Sequence, residues 1–266
     1  MAGKLIVGSM PIGNLDDLTL RMVDAFASCD YILSDRPADR AEKVLEKFRI
    51  KKKIVLLNSV NSGYADMDQV DRVAEDILNG KTVLLVSSEG QVAISDPGVQ
   101  FIQKCITDKI PHEVLPGPSA GITAYVASGL SNGRLFIVPS VERERISEVF
   151  NMLKDINYST VVHVWAKDLP EIIEYIDKNY KWTKQSDNTH HSNRIIAVCC
   201  DLTMPTENIF MDWAHKIKYN AALKDVNINT RVSLILGEVL HMGECDHIIC
   251  NMYKDFVPGQ SEGLII

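Results

Sequence analysis

Short apolar runs alternate with helix-spaced apolar positions through the first half of the chain. Leu5-Ile6-Val7, Tyr31-Ile32-Leu33, Ile54 to Leu57, Thr82 to Val86 and Glu113 to Leu115 are brief, bounded by turn residues, and predict strands. Between them, periodic apolar residues predict helices over Leu15 to Ala27, Ala38 to Phe48, Met67 to Leu78, Gly98 to Thr107 and Ser119 to Ser128. Asn79-Gly80 ends the third of these, and Asp16 and Asp17 sit at the positive end of the first. Regular strand–helix alternation implies a largely parallel sheet with helices on both faces.

Ser131-Asn132-Gly133 interrupts this pattern. Beyond it, strands are expected at Leu135 to Val138, Thr160 to Trp165, Ile195 to Cys199 and Val232 to Leu236. Helices are expected at Ile146 to Asp155, Leu169 to Tyr180 and around Phe210 to Lys218, and a polar loop over Lys184 to Asn193. The fold class read from this is two α/β domains: residues 1–130 with a largely parallel sheet, and residues 134–240 with a mixed sheet. A tail, 241–266, follows.

Three of the early strands end in loops rich in Gly, Pro and Ser. Met10-Pro11-Ile12-Gly13-Asn14 follows the first strand, Ser88-Glu89-Gly90-Gln91-Val92-Ala93-Ile94-Ser95-Asp96-Pro97-Gly98 the fourth, and Pro116-Gly117-Pro118-Ser119-Ala120-Gly121 the fifth. In an open α/β sheet such loops gather at the carboxyl edge, where ligands bind. Neither Gly-x-Gly-x-x-Gly nor Gly-x-x-x-x-Gly-Lys-Ser/Thr is present, so a phosphate cradle is not indicated. Each loop alone also reads as plain scaffolding. Asn14 can cap a helix, Ser95 and Asp96 can cap the next with Pro97 in its first turn, and Ser119 can cap a helix of small residues. Gly117 would supply an unusual backbone angle.

Taken together and in this order, the three motifs resemble the tetrapyrrole methylase superfamily. Within it they are most similar to the bacterial enzymes that 2′-O-methylate a cytidine ribose in small-subunit ribosomal RNA. The resemblance continues, more thinly, to about Leu240. It implies S-adenosylmethionine (SAM) as cofactor, a homodimer, ribosomal RNA or the small ribosomal subunit as partner, and a cofactor cleft between the two domains. Carried onto this sequence, the cofactor residues would be Pro11, Gly13, Asn14, Ser88, Gly90, Gln91, Val92, Ile94, Pro116, Gly117, Ser119 and Ala120. Asp35 would orient or deprotonate the acceptor hydroxyl, and Arg36, Arg40 and Asn61 would meet the substrate.

The chain departs from the family's usual pattern at several points. Gln91-Val92 replaces Thr-Pro, and Ser34-Asp35-Arg36-Pro37 stands where Glu-Asp-Thr-Arg is usual. Ala166-Lys167-Asp168-Leu169-Pro170 replaces Glu-Ser-Pro-His-Arg, and Glu142-Arg143-Glu144-Arg145 is neutral where the family is basic. These changes fall mainly on the substrate side. They leave open another acceptor (a different RNA, a peptide or a tetrapyrrole) and a non-catalytic SAM-binding scaffold. On its own residues, Asp35 also reads as a helix cap, and Arg36 and Arg40 as surface ion-pair partners.

Composition narrows this further. Of 266 residues, 46% are hydrophobic and 24% charged, which predicts a packed globule. A formal net charge of −7 excludes broad electrostatic attraction to nucleic acid, so any RNA surface must be local. The densest basic cluster, Arg49 with Lys51, Lys52 and Lys53, reads as a solvated loop. No secretory signal, no membrane span and no disulfide framework are expected from the six cysteines, which points to the cytoplasm. His241, Cys245, His247 and Cys250 are competent zinc ligands, but their spacing matches no common finger and no metal is expected.

Overall fold

The computed structural model describes residues 3–35, 38–61, 63–131, 133–156, 158–183, 190–192 and 194–237. The chain forms two compact units that divide between Ala120 and Gly121.

The first unit is built on five parallel strands: β1 (Leu5–Val7), β2 (Tyr31–Ser34), β3 (Lys53–Leu56), β4 (Val83–Val86) and β5 (His112–Val114). Their spatial order is β3-β2-β4-β1-β5. Alternate residues of each strand face opposite layers. Leu5, Val7, Leu33, Val83 and Leu85 pack with α3 (Met67–Leu78) and α4 (Val99–Thr107). Ile6, Ile32, Leu84 and Val86 pack with α1 (Leu20–Ser28) and α2 (Asp39–Lys47) on the other face. The chain leaves β1 toward β2 and leaves β4 in the opposite direction, toward β5. The adjacent carboxyl ends of β1 and β4 therefore form the topological switch point, the place where such sheets bind ligands.

One expected helix is split. Over Leu15 to Ala27 the chain forms a 3-10 turn at Leu15–Asp17, an extended Leu18, and only then α1. Two caps compete within one segment: Asn14 accepts from the Asp16 amide at 3.0 Å, and Thr19 accepts from the Met22 amide at 3.3 Å. Each begins its own turn.

The second unit carries a mixed sheet. Its strands are β6 (Leu135–Val138), β7 (Ser159–Trp165), β8 (Ile195–Cys200), β9 (Asn208–Trp213) and β10 (Arg231–Leu236), in the order β6-β7-β10-β8-β9. Only β6 and β7 run parallel. Val162, Val164, Ile196, Val198 and Leu234 line one face and pack against α6 (Ile146–Leu153), α7 (Leu169–Asn179) and α8 (Ala214–Ile217). The helix α5 (Ala120–Ala127) lies on the opposite face. A Cβ on Gly121 would come within 3.1 Å of the Ile137 side chain, and Ala124 O lies 4.0 Å from Cys199 Sγ. These close contacts tie α5 to the second unit, so the units divide before the Ser131–Gly133 break.

The first half of the helix expected around Phe210 to Lys218 is strand. Asn208–Trp213 pairs residue for residue with Ile195–Cys200, leaving only Ala214–Ile217 helical. The polar loop expected over Lys184 to Asn193 contains a short strand, since His190–Ser192 pairs with Lys181–Thr183. Residues 184–189 and 193 lie outside the described residues, as do the tail 241–266 and its His241, Cys245, His247 and Cys250.

Arg194 is fully buried, a placement no local pattern predicts. Its guanidinium donates to Lys154 O at 3.2 Å, to Ile156 O and, at 3.3 Å, to Gly237 O. Lys154 and Ile156 lie just past the end of α6, so the guanidinium satisfies carbonyls that the helix leaves without partners. Tyr180 stacks beneath it, 5.5 Å from ring centroid to guanidinium carbon.

Candidate functional site

The loops at the β1–β4 switch point are joined by a small ladder. Ser9 pairs with Gln91 and Met10 with Gly90, antiparallel to each other and beyond the ends of their parent strands. Ser9 is buried, and its hydroxyl donates to Pro118 O at 2.5 Å, which ties in the loop after β5. Gly117 lies hard against the same residue: a Cβ there would sit 2.8 Å from Ser9 Cβ. Its backbone is not left-handed, contrary to the sequence expectation. Close approach is what demands glycine at this position.

Gly90 does adopt a left-handed backbone, with φ of 67°. The space where its side chain would stand is bordered by Ile12 Cγ2 at 3.5 Å, Pro118 O at 3.7 Å and Ala120 N at 3.7 Å. One residue thus touches all three loops picked out in the sequence. Ser87 holds the turn before it, with Oγ 2.9 Å from both Glu89 O and Gly90 O.

Asp35 stands at the carboxyl end of β2, beside β4, and its amide donates to Val86 O at 3.4 Å. It does not cap α2, whose N-cap is Ala38. Its Oδ1 is buried and has no hydrogen-bond partner among the described residues. Burial, reinforced by the nearby Asp96 carboxylate, pushes the Asp35 carboxyl up to about 7, while the Ser88 backbone N–H and hydroxyl pull it the other way. Asp96 is raised as well, by burial, despite accepting from the Ala93 amide at 2.9 Å and the Gly98 amide at 2.9 Å.

Several expected roles are altered. Asp96 folds its own loop and does not cap α4, which begins only at Val99 with Gly98 as its N-cap. The tight turn forces Ala93 to a φ of 69°, a strained value for a residue with a side chain. Val92 is buried in the core beneath α3 and α4, where its methyls press on Gly98, so it supports the loop from behind. Ile94 is exposed. Arg40 does not offer a free cation. Its guanidinium donates to Gly13 O at 3.1 Å and pairs with Glu89 at 2.5 Å, clasping the β1 loop to the β4 loop. Asn61 lies in the short ladder of Ser59–Asn61 with Tyr64–Ala65. Next to it a cavity of about 410 Å³ opens between Leu57, Asn58, Ser59, Val60 and Asp66. Arg36 lies outside the described residues.

These features suit a nucleoside cofactor without phosphates. Around Gly90 the flanking loops bring together an apolar methyl, a carbonyl and an amide, the kinds of group that line a nucleoside site. Among the described residues, the only arginine bonded into these loops is committed to its clasp, so nothing here resembles a pyrophosphate site.

The architecture and this edge of the sheet define a class of two-unit α/β proteins with a ligand site at the switch point. The profile of the tetrapyrrole (corrin/porphyrin) methylases matches residues 4–214, and the chain belongs to this family of SAM-dependent methyltransferases. It is 31% identical over 183 residues to the ribosomal RNA small subunit methyltransferase I of Buchnera aphidicola subsp. Schizaphis graminum, covering 66% of this chain and 62% of that protein. The enzyme of the same name from Buchnera aphidicola subsp. Acyrthosiphon pisum is 29% identical over 231 residues, covering 82% and 75%. The chain thus spans less than two thirds of the first of these relatives and three quarters of the second. In fold it is similar to a crystal structure of diphthine synthase, with a TM-score of 0.64 at 16% identity over 90% of this chain and 91% of that one.

Proposed function

We propose that this chain is a SAM-dependent methyltransferase that modifies a ribose 2′-hydroxyl in small-subunit ribosomal RNA, acting as a homodimer in the cytoplasm. The observation that carries the reading is the meeting of the three loops at Gly90, on the same sheet edge as the partnerless Asp35 oxygen. Family membership supports the cofactor, and the names of the relatives support the acceptor.

SAM supplies a methyl group already activated for displacement, so this chain needs to position the acceptor and exclude water more than to activate the donor. Pro11, Gly13 and Asn14, Ser88, Gly90 and Gln91, and Pro116, Gly117, Ser119 and Ala120 would hold the cofactor. Val92 would stiffen that wall from the core, and Ile94 would close over it. Asp35 Oδ1 would accept the proton of the attacking hydroxyl, and a carboxyl raised to about 7 is a far stronger base than an ordinary aspartate. Ser88 would orient that carboxyl, and burial, reinforced by Asp96, keeps its proton affinity high. Arg36 and Asn61 would contact the acceptor strand, while Arg40 shapes the loops.

The test is calorimetric titration of the purified protein with SAM and S-adenosylhomocysteine, followed by methyl transfer from labelled SAM to small subunits lacking the modification. Micromolar binding of both ligands with transfer to a ribose is expected. Binding without transfer would refute the acceptor, and absence of binding would refute the methyltransferase reading itself.

A further inference from the structure

The second unit displays a group of cations that the chemistry above does not use. Trp165 ends β7, and Arg231, which begins β10, stands directly opposite it in the antiparallel register. The Arg231 guanidinium lies over the Trp165 ring, 4.7 Å from its centroid, and Lys167 Nζ lies 5.6 Å from the same centroid. Trp165 is half-buried, whereas Lys167 and Arg231 are exposed. Neither cation has a carboxylate partner among the described residues. The neighbouring Arg143, by contrast, is bonded to both Asp168 and Glu171. The backbone beneath is pinned: the Ala166 amide donates to Thr230 O at 2.9 Å and the Lys167 amide to Ile228 O at 3.2 Å. His163 continues this face, bonded to Ser233 Oγ at 3.1 Å. Burial, helped by Arg231, lowers its proton affinity, so it adds no charge.

In a chain of net charge −7, two unpaired cations held on one indole are an unusual local concentration of positive charge. An aromatic plane flanked by Lys and Arg is the combination that grips single-stranded nucleic acid. Arg231 already lies over the ring, so a splayed base would stack on the guanidinium plane that the indole backs, and the cations would meet the adjoining phosphates. A duplex offers no base face to stack on, and an acidic peptide would make no use of the indole. We propose that Trp165, Lys167 and Arg231 form a binding platform for an unpaired stretch of RNA. The inference deepens the acceptor reading given above and rests on it for the identity of the nucleic acid.

The experiment measures binding of the full chain to a fluorescently labelled single-stranded RNA of about 12 nucleotides and mixed sequence, by anisotropy over a series of salt concentrations. The double variant Lys167→Ala/Arg231→Ala should bind about tenfold more weakly at low salt, and its log–log salt slope should be shallower by about 1.4, the counterions released by two phosphates. Trp165→Ala should also weaken binding about tenfold, while Trp165→Phe retains most of it. SAM affinity should be unchanged in all three. Wild-type affinity and salt slope in the double variant would overturn the proposal, as would wild-type protein that does not bind the RNA. RNA binding through this surface without methyl transfer to small subunits would leave the platform standing and remove the rRNA acceptor. Methyl transfer with RNA binding indifferent to these substitutions would do the reverse.

Discussion

At Asp35 stability and chemistry pull in opposite directions. Its carboxyl is raised to about 7, far above an aspartate in an unfolded chain, so the folded protein holds this proton more tightly. Stability from this group is therefore highest at low pH and declines as pH rises from about 4 to about 7, because the folded state must then carry an unfavourable buried charge. Asp35→Asn removes that charge. It should raise the melting temperature at pH 8, by on the order of 2–4 kcal/mol of stability, and change it little at pH 4. In the same variant the single-turnover transfer rate should fall by about 10²–10⁴-fold. The wild-type rate should climb about tenfold per pH unit up to about pH 7 and then level off, and the variant's rate should show no such rise. A variant that is both no more stable at pH 8 and fully active would remove Asp35 from the chemistry. The sequence pointed to Asp35 because it ends a strand on the ligand-binding edge. It could not show that Arg40 is committed to Gly13 and Glu89, or that Val92 turns inward, because both depend on contacts between loops distant along the chain.

At the scale of elements, the three loops are held by backbone proximity more than by side-chain chemistry. Gly117 and Gly90 separate two reasons for a glycine. Gly117→Ala would put a Cβ 2.8 Å from Ser9 Cβ, an atom fixed by the strand behind it, so the loop after β5 must retreat from the ladder. Gly90→Ala meets no atom closer than 3.5 Å and suffers only its left-handed backbone, about 1–2 kcal/mol. Calorimetry should therefore find SAM affinity lowered at least tenfold by Gly117→Ala and less by Gly90→Ala. The opposite ranking would mean that the Ser9–Pro118 tie does not shape the site. Elements were legible where periodicity was unambiguous: Met67–Leu78 has an N-cap Asp66, apolar residues at helical spacing and a terminal Asn-Gly. They were misread where local signals conflicted. Asn208–Trp213 has apolar residues suited to either structure, and its strand state comes from pairing with Ile195–Cys200, a long-range partner no local pattern contains.

At the scale of the whole molecule, α5 raises the question of what else this chain binds. A helix that is apolar on every side is normally covered all round, and α5 reads Ala-Gly-Ile-Thr-Ala-Tyr-Val-Ala. Gly121 and Ala124 face the second sheet and are buried. Ile122 and Val126, one turn apart, are 47% and 65% exposed. A soluble monomer rarely leaves such residues grouped on one helix face, whereas a two-fold symmetric dimer buries the same patch on both copies. The proposed homodimer would thus use this face. Ile122→Glu/Val126→Glu places two like charges on each copy at a shared contact, while both side chains remain solvated in the monomer and the packing of Gly121 and Ala124 is untouched. Sedimentation should then show the wild-type dimer replaced by a folded monomer, with association weakened at least a hundredfold, about 3 kcal/mol. A variant that sediments with the wild type as a dimer would place the subunit contact on another surface. A wild type that sediments as a monomer would leave this face without the partner assigned to it.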